Sequence, residues 1–444
     1  MSRRQADNNK VDIEISLVNF DESKSMDIKP LVAEVSVYYD LFNSVIKTDM
    51  LISDGVGLVE RFPIVGDEKI ILRMKSVNEK RAKTFIFDVY KLSNRAILEE
   101  RQHGYVLHGM SRHGIQDTME NVNIAFQDTP ISDIVTKVFE SHLSAAGEKS
   151  VEVEATEGTF SVVGTGQSPT QFINMLGKEA QSTQYKDTST FIFYEDNEKF
   201  HFKTLSSLFS GEPVEKYYLS DPSDSKLKDG KGSVKPYQSI MGLSFNEGFN
   251  TLDGMINGVY KNNVEVIDPI LRKFESIDFS YLDDFDKLTH MGGKKYLSTS
   301  GAISKGKKSI HSRLLISQIS DKDYKTESYL NGKTGGDILL NAPRLRHKFL
   351  NQSISEQYNM GQHTIDLSVS GNTNLEVGQI ISVFIPQPSD VDDDNQKFIK
   401  LYGQKASFLI TAMKHTYKAA DDMFITVMSC VKESFGAEIK YDFK

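Results

Sequence analysis

Val11, Ile13, Ile15 and Leu17 alternate with Asp12, Glu14 and Ser16. That period of two belongs to a strand with one face in a core and the other in water. Similar segments follow at Leu31–Tyr39, Ile70–Met74, Thr84–Tyr90 and Gly104–Met110, separated by polar turns, and they predict a unit of short antiparallel strands over residues 1–118. Short strands leave unpaired edges unless the sheet closes on itself, so a β-barrel is expected. Its most informative part is a corner. Leu51 and Ile52 run into a polar turn at Ser53 and Asp54. A second apolar run, Leu58, Val59 and Phe62, then stops at Pro63-Ile64-Val65-Gly66-Asp67-Glu68 ahead of the strand from Lys69 to Met74. Pro63 removes a ladder donor and Gly66 permits positive φ, which forces the chain out of one strand and into the next. Asp54, Pro63, Gly66 and Glu68 are therefore candidate structural residues.

After residue 118 the period changes. Asp128-Thr129-Pro130 supplies a cap and a proline at the first helical position, and Ile131, Ile134, Val135, Val138 and Phe139 recur at helical spacing. A second helix is expected from the Ser168 cap and Pro169 to about Gln181, with Phe172, Ile173, Leu176 and Ala180 on one face. Phe191–Tyr194 and Lys199–Lys203 flank Glu195-Asp196-Asn197-Glu198 as a hairpin, so residues 119–210 read as a small α+β domain. Between Gly211 and Val234 the chain has the composition of a linker. Ser239–Phe245, Thr364–Val369, Gln379–Ile385, Ser407–His415 and Met423–Val431 then read as strands of a second antiparallel barrel over residues 211–262 and 342–444. Within it, a helix starting at Arg344 behind Pro343 and a turn at Ser370-Gly371-Asn372-Thr373 are expected. Residues 263–341 are weakly periodic, with an acidic cluster (Asp278, Asp283, Asp284, Asp286) and a basic one (Lys305, Lys307, Lys308), and are expected to form an insertion.

The Asp54 turn, the leucine-rich run and the Pro63 to Glu68 corner before a strand resemble the opening domain of the baseplate hub proteins of contractile tails. That family comprises phage tail hubs and the hub half of type VI secretion spike proteins. The resemblance continues through Thr84–Ser93, Tyr105–Ser111 and Val122–Leu143, and Leu375-Glu376-Val377-Gly378 resembles the entry turn of the family's second barrel. It implies a fold that is mainly β with α+β parts: two tail-tube-like antiparallel β-barrel domains, a small α+β domain and an insertion. It also implies a homotrimer in which two barrels per subunit make a six-fold-like ring. Such a ring seats on the hexameric tail tube, meets the trimeric cell-puncturing spike on its other side, and serves as a conduit for genome ejection. The tail-tube protein, the spike protein, baseplate wedge proteins and the tape-measure protein are the implied partners. The implied location is the virion tail baseplate, assembled in the host cytoplasm. In the secretion-spike relatives a β-helical needle normally follows, and none is expected so soon before Lys444. The alternative from a different class is a tail-tip protein that binds the host surface or glycans.

Composition narrows the picture further. At 444 residues the chain is long enough for roughly two to four cores. It has no run of about 18 apolar residues, so no membrane-spanning segment is expected. The opening MSRRQADNNK lacks an apolar stretch behind its arginines, which argues against a secretory signal. Cys430 is the single cysteine, so disulfides within the chain and cysteine-based metal sites are excluded, and its strand-like surroundings predict a small core hydrophobe. Net charge is −9, from 61 acidic against 52 basic residues, which disfavours a protein that grips phosphate backbones. DNA is therefore expected to pass without specific binding. The absence of Trp beside 26 Phe and 18 Tyr weakens the glycan-binding alternative.

The candidate chemistry is thin. His103, His108 and His113 are spaced by five, which throws successive side chains to opposite faces of a strand and argues against a shared metal. Asp390-Val391-Asp392-Asp393-Asp394 has the carboxylate density of a calcium loop, but lacks its glycine and has Leu401 where the bidentate Glu belongs. Gly164-Thr165-Gly166 and Gly55-Val56-Gly57 lack the βαβ setting of a phosphate loop, and Gly332-Lys333-Thr334 lacks the first glycine of a Walker motif. Lys305, Lys307 and Lys308 have no interleaved aromatics. The helix from Ile131 carries a balanced polar face of Asp133, Lys137 and Glu140, as a core-packing helix does. No cofactor, no metal and no catalytic function are expected.

Overall fold

The computed structural model describes residues 10–62, 64–77, 79–99, 102–144, 149–185, 190–219, 235–247, 251–268, 273–284, 287–291, 313–318, 323–324, 340–341, 346–361, 363–386, 398–400 and 407–433. Pro63, Lys305, Lys307, Lys308, the Gly332–Thr334 segment, Pro343 and the Asp390–Asp394 loop lie outside them.

The alternation read from the sequence produces the first strands. β1 (Val11–Val18) buries Ile13, Ile15 and Leu17, pairs with the short β2 (Ser25–Asp27), and β3 (Val32–Asp40) follows. β4 (Asn43–Asp54) is a full twelve-residue partner to β3 in which every second residue from Ser44 to Asp54 is buried. β5 (Lys69–Ser76) pairs with β1 and with the first part of β6 (Lys83–Glu99), whose remainder pairs with β7 (Gln102–Met110). The run Leu58, Val59, Phe62 is not a strand. Leu58–Arg61 is a helical turn entered through Gly57 at φ 70°, a left-handed conformation that glycine adopts without strain. This turn and the corner after it lie along β6 beyond the end of β5, where the Val89 N–H donates to the Glu68 carbonyl at 2.8 Å.

In the middle of the chain, a separate core gathers Ile134, Val135, Val138, Phe139, Phe172, Ile173, Leu176, Phe200 and Phe202. The helix Ile131–Val138 runs on through a wider turn at Phe139–Leu143. The helix Pro169–Gly177 ends earlier than the expected Gln181; Asp117 Oδ1 accepts the Thr170 N–H at 2.7 Å at its start. Two small sheets complete this part: β8 (Ala125–Thr129) with β10 (Phe160–Val163), and β9 (Ser150–Val153), β12 (Lys199–Thr204) and β11 (Phe191–Glu195) side by side.

The last part adds β13 (Pro213–Tyr218), β14 (Ile240–Glu247), β20 (His363–Ser370), β21 (Ile380–Pro386), β22 (Phe398–Lys400), β23 (Ser407–Lys418) and β24 (Met423–Lys432). Cys430 is fully buried on β24, as expected of a core hydrophobe. Within 263–341 and its borders, β15 (Lys261–Asp268), β16 (Lys273–Ser280) and β17 (Arg313–Gln318) form a three-stranded sheet, and β18 (Asp323–Tyr324) pairs with β19 (Leu340–Asn341). The helix Arg346–Met360 anchors beside this sheet, with the Ser355 hydroxyl donating to the Val259 carbonyl at 2.9 Å.

Among the described residues, the strands do not close into two barrels. The strand order is β14-β20-β24-β23-β3-β4-β7-β6-β5-β1-β2, with β13, β21 and β22 attached beside β23, and no described pairing joins β2 back to β3 or β14 to its other end. The edge of β3 is satisfied instead by β23, which pairs with it antiparallel from Ala412↔Asp40 to Lys418↔Glu34. The edge problem that predicts closure is solved here by joining two sheets. One continuous core consequently collects side chains from both ends of the chain, from Val11 to Val431.

Candidate functional site

Asp54 ends β4 and is buried. Its Oδ1 accepts the Val56 N–H at 3.0 Å, and its Oδ2 accepts the Leu58 N–H at 2.7 Å and the Tyr105 hydroxyl at 3.2 Å. Burial pushes the carboxyl pKa up, but these bonds to the charged form outweigh it and hold the group below its usual range. At the other end of the corner, buried Glu68 folds back on its own loop. Its Oε1 accepts the Val65 N–H at 2.8 Å and its Oε2 the Gly66 N–H at 3.0 Å. Two carboxylates thus hold the two ends of one connection, because its backbone donors have no ladder partner.

Gly66 has φ 103°, and a Cβ there would meet nothing nearer than the Val89 carbonyl oxygen at 3.9 Å. The constraint is conformational and not steric. Gly66→Val is therefore expected to cost about 1–3 kcal/mol, since a β-branched residue is strained at positive φ. Chemical denaturation checks this, and an unchanged midpoint would remove the corner's claim on glycine.

Gly378 is in a different corner. It has φ 81° and donates its N–H to the Ile410 carbonyl at 2.9 Å, while a Cβ would sit 2.7 Å from the Tyr194 hydroxyl oxygen. Here the L-x-V-G turn meets the middle segment. The structure brings Asp54, Gly66 and Glu68 into one loop and leaves Gly378 at a separate contact.

Sequence reasoning missed the polar junction that surrounds this contact. Glu195, taken for part of a hairpin turn, is wholly buried: its Oε2 accepts the Ile46 N–H at 2.9 Å and the Ser111 hydroxyl at 2.7 Å, and its Oε1 meets Lys149 Nζ at 2.8 Å. Next to it, Asp196 accepts the N–H groups of Glu198 and Lys199 at 2.7 Å each and pairs with His201 at 2.5 Å. Burial raises the Asp196 pKa, yet His201 and these N–H groups together depress it well below the carboxylate norm. Glu376 lies against the Asp196 charge. Burial first, then that charge, pushes its pKa up, while Lys83 at 2.7 Å pulls it down. Glu79 of the β5–β6 loop accepts the Thr373 N–H at 2.5 Å, a second tie between the two ends of the chain. Acidic residues beside aromatic strand positions are the one trace of this junction in the sequence.

The outward face of the seven strands from β20 to β6 mixes charges of both signs with polar and apolar side chains, Leu51, Ile86 and Val427 among the exposed ones. One row across it reads Ser370, Ile425, Thr416, Ser36, Asp49, His108, Lys91; the next reads Ser368, Val427, Lys414, Tyr38, Lys47, Met110, Asp88. Lys414 stacks over the Tyr38 ring at 5.3 Å, and Asp88 is paired with Arg112 at 3.3 Å. The lysines are interspersed with carboxylates, so no continuous basic band crosses the described face.

The three histidines go separate ways. His103 sits near Arg95, His108 is on the outward face, and His113 is buried against Phe139 and Phe200. Among the described residues, no group of three His, Cys, Asp or Glu is placed to hold a metal. A cleft of about 290 Å³ beside the first corner, lined in part by Phe20, Arg61 and Val65, falls at the lower limit of ligand sites, which run to about 300–1,000 Å³. No helix among the described residues is long and apolar enough to cross a membrane.

No family model matches this sequence, and no curated protein matches it either. Solved structures do resemble it. A tail protein from Neisseria meningitidis superposes with a TM-score of 0.53 at 9% identity, over 95% of this chain and 97% of that one. A prophage tail protein from Shewanella oneidensis superposes with a TM-score of 0.54 at 10% identity, over 95% and 98%. The chain therefore has the fold of these tail proteins.

Proposed function

We propose that the chain is a structural hub of a contractile phage baseplate, three copies of which join the hexameric tail tube to the trimeric spike and leave a passage for the genome. The observation that carries this reading is the antiparallel pairing of β3 with β23. It sets four strands from the start of the chain (β3, β4, β7, β6) beside four from its later part (β14, β20, β24, β23) in one continuous surface. A subunit built this way offers two similar four-stranded segments to a ring, and three subunits offer six, which suits a hexameric neighbour on one side and a trimeric one on the other. The mixed-charge outward face supports its use as the wall of the passage, because closely spaced uncompensated Lys and Arg contacts would hold DNA in a salt-dependent way. Wedge and tape-measure contacts belong to the same proposal. This role requires no catalysis, cofactor or metal.

Native mass measurement of the full chain, alone and mixed with its cognate spike subunit, tests the proposal. Three copies are expected, with the spike bound to the trimer. A monomer under all conditions, spike included, rules the hub role out, and binding of cells or glycans by that monomer would establish the adhesin alternative.

A further inference from the structure

On the outward face, β4, β7 and β6 bring together Asp49, His108 and Ser93, which are 59 and 15 residues apart in their two pairings. Asp49 and His108 are direct cross-strand partners; Lys91 is opposite His108, and Ser93 follows two positions on, on the same face. His108 Nδ1 lies 2.6 Å from Asp49 Oδ1, and His108 Nε2 lies 2.7 Å from Ser93 Oγ. One tautomer satisfies both contacts: Nδ1–H donates to the carboxylate, which leaves the Nε2 lone pair to accept from the serine hydroxyl. The site is open, with the His108 and Asp49 side chains 20% and 41% exposed, and the Tyr90 ring packs 6.1 Å from the imidazole.

We propose that Ser93 is an activated nucleophile for acyl transfer from small carboxylic esters, with His108 as general base and Asp49 holding its tautomer. The local backbone supports this. β6 loses register with β7 directly after Ser93: the ladder passes from Ser93↔Val106 to Ala96↔Gly104, and Asn94 takes φ 56°. The pairing skips Asn94 and Arg95, so the first main-chain N–H groups after the serine lie outside the regular register. That is where acyl transfer needs donors to the developing oxyanion. His415 also meets a hydroxyl, Thr426 Oγ1 at 2.9 Å, but it is buried beneath the sheet and offers no route to an ester.

In the reaction, Ser93 Oγ forms a bond to the ester carbonyl carbon as its proton passes to His108 Nε2. The carbon–oxygen bond to the alcohol then breaks, and the departing alkoxide takes that proton, leaving acyl-Ser93 and a free alcohol. Water attacks the acyl group by the same relay, releasing the carboxylic acid and restoring Ser93. The exposure of His108 and Asp49 leaves the site open, which suits a small acyl group.

The test treats full-length protein with p-nitrophenyl acetate, and in parallel with a fluorophosphonate, and maps adducts by peptide mass. One adduct per chain at Ser93 is expected, absent in S93A and retained in S368A, whose serine is on the same face away from any histidine. H108Q should slow labelling about a hundredfold, the usual scale of a lost general base, and D49N should slow it as well, with each variant's fold checked by thermal melting. Adducts spread over surface residues without enrichment at Ser93, or labelling at an equal rate in folded H108Q, would overturn the assignment. The readout is covalent and independent of assembly, so its failure leaves the hub proposal untouched.

Discussion

Glu195→Ala is expected to detach the middle segment from the large sheet and to destabilise the protein by about 3–5 kcal/mol, the usual cost of removing one partner from a buried charged network. The Glu195 side chain is entirely shielded from water, and its loss strands three donors at once: the Ile46 N–H, the Ser111 hydroxyl and the Lys149 ammonium. These donors come from β4, from the residue after β7 and from the residue before β9, so the carboxylate sits where the segment meets the sheet. The Ser44 hydroxyl adds one further bond, to the Phe193 carbonyl at 2.9 Å. Glu195→Gln keeps an acceptor and should cost less, about 1–3 kcal/mol for the donors left unmatched. Thermal melting with limited proteolysis reads both effects. Glu195→Ala melting within a degree of the parent would show that the junction contributes nothing to docking.

Acidification from pH 7 to pH 4.5 is expected to lower stability well before most carboxylates titrate. His113, His363 and His415 are all buried. Burial depresses His113 and His363 from 6.5 to about 4, aided by the nearby cations Lys149 and Lys432, and depresses His415 to about 3, aided by Lys83. Above pH 6.5 these side chains are neutral in both states and cost nothing. Between 6.5 and about 4 the unfolded chain takes up protons that the folded chain refuses, so stability is lost as pH falls, by roughly 3 kcal/mol for a histidine shifted this far. Glu376, whose pKa is raised, works in the opposite direction by shedding a buried charge on protonation. His113→Phe, placed between Phe139 and Phe200 where a third ring is at home, should flatten the pH dependence. A melting temperature that stays level from pH 7 to 5 would contradict the burial of neutral histidines at these three positions.

Much of the architecture was legible in the chain. Ile13, Ile15 and Leu17 point inward as their alternation predicts, the stripe from Ile131 to Phe139 packs one helix into its core, and Phe191–Tyr194 pairs with Lys199–Lys203 as a hairpin. Period reports which face of an element is buried, whichever distant segment comes to cover it. Gly66 and Gly378 both stand where φ is positive, a conformation that glycine adopts without strain. The run Leu58, Val59, Phe62 was misread because an apolar spacing this short fits a helical turn as well as a strand, and the deciding group, the Asp54 carboxylate on the Leu58 N–H, lies outside the run.

What only the tertiary structure decided is which edges meet. Side chains of β3 and β23 specify strands, but the ladder that joins them across nearly four hundred residues is made of main-chain groups that every sequence carries, so two expected barrels became one continuous sheet. The same holds for side chains whose partners come from other strands. Glu195, Lys83 with Glu376, and the relay of Asp49, His108 and Ser93 have no spacing of their own along the chain; the register of the strands alone brings them within hydrogen-bond reach.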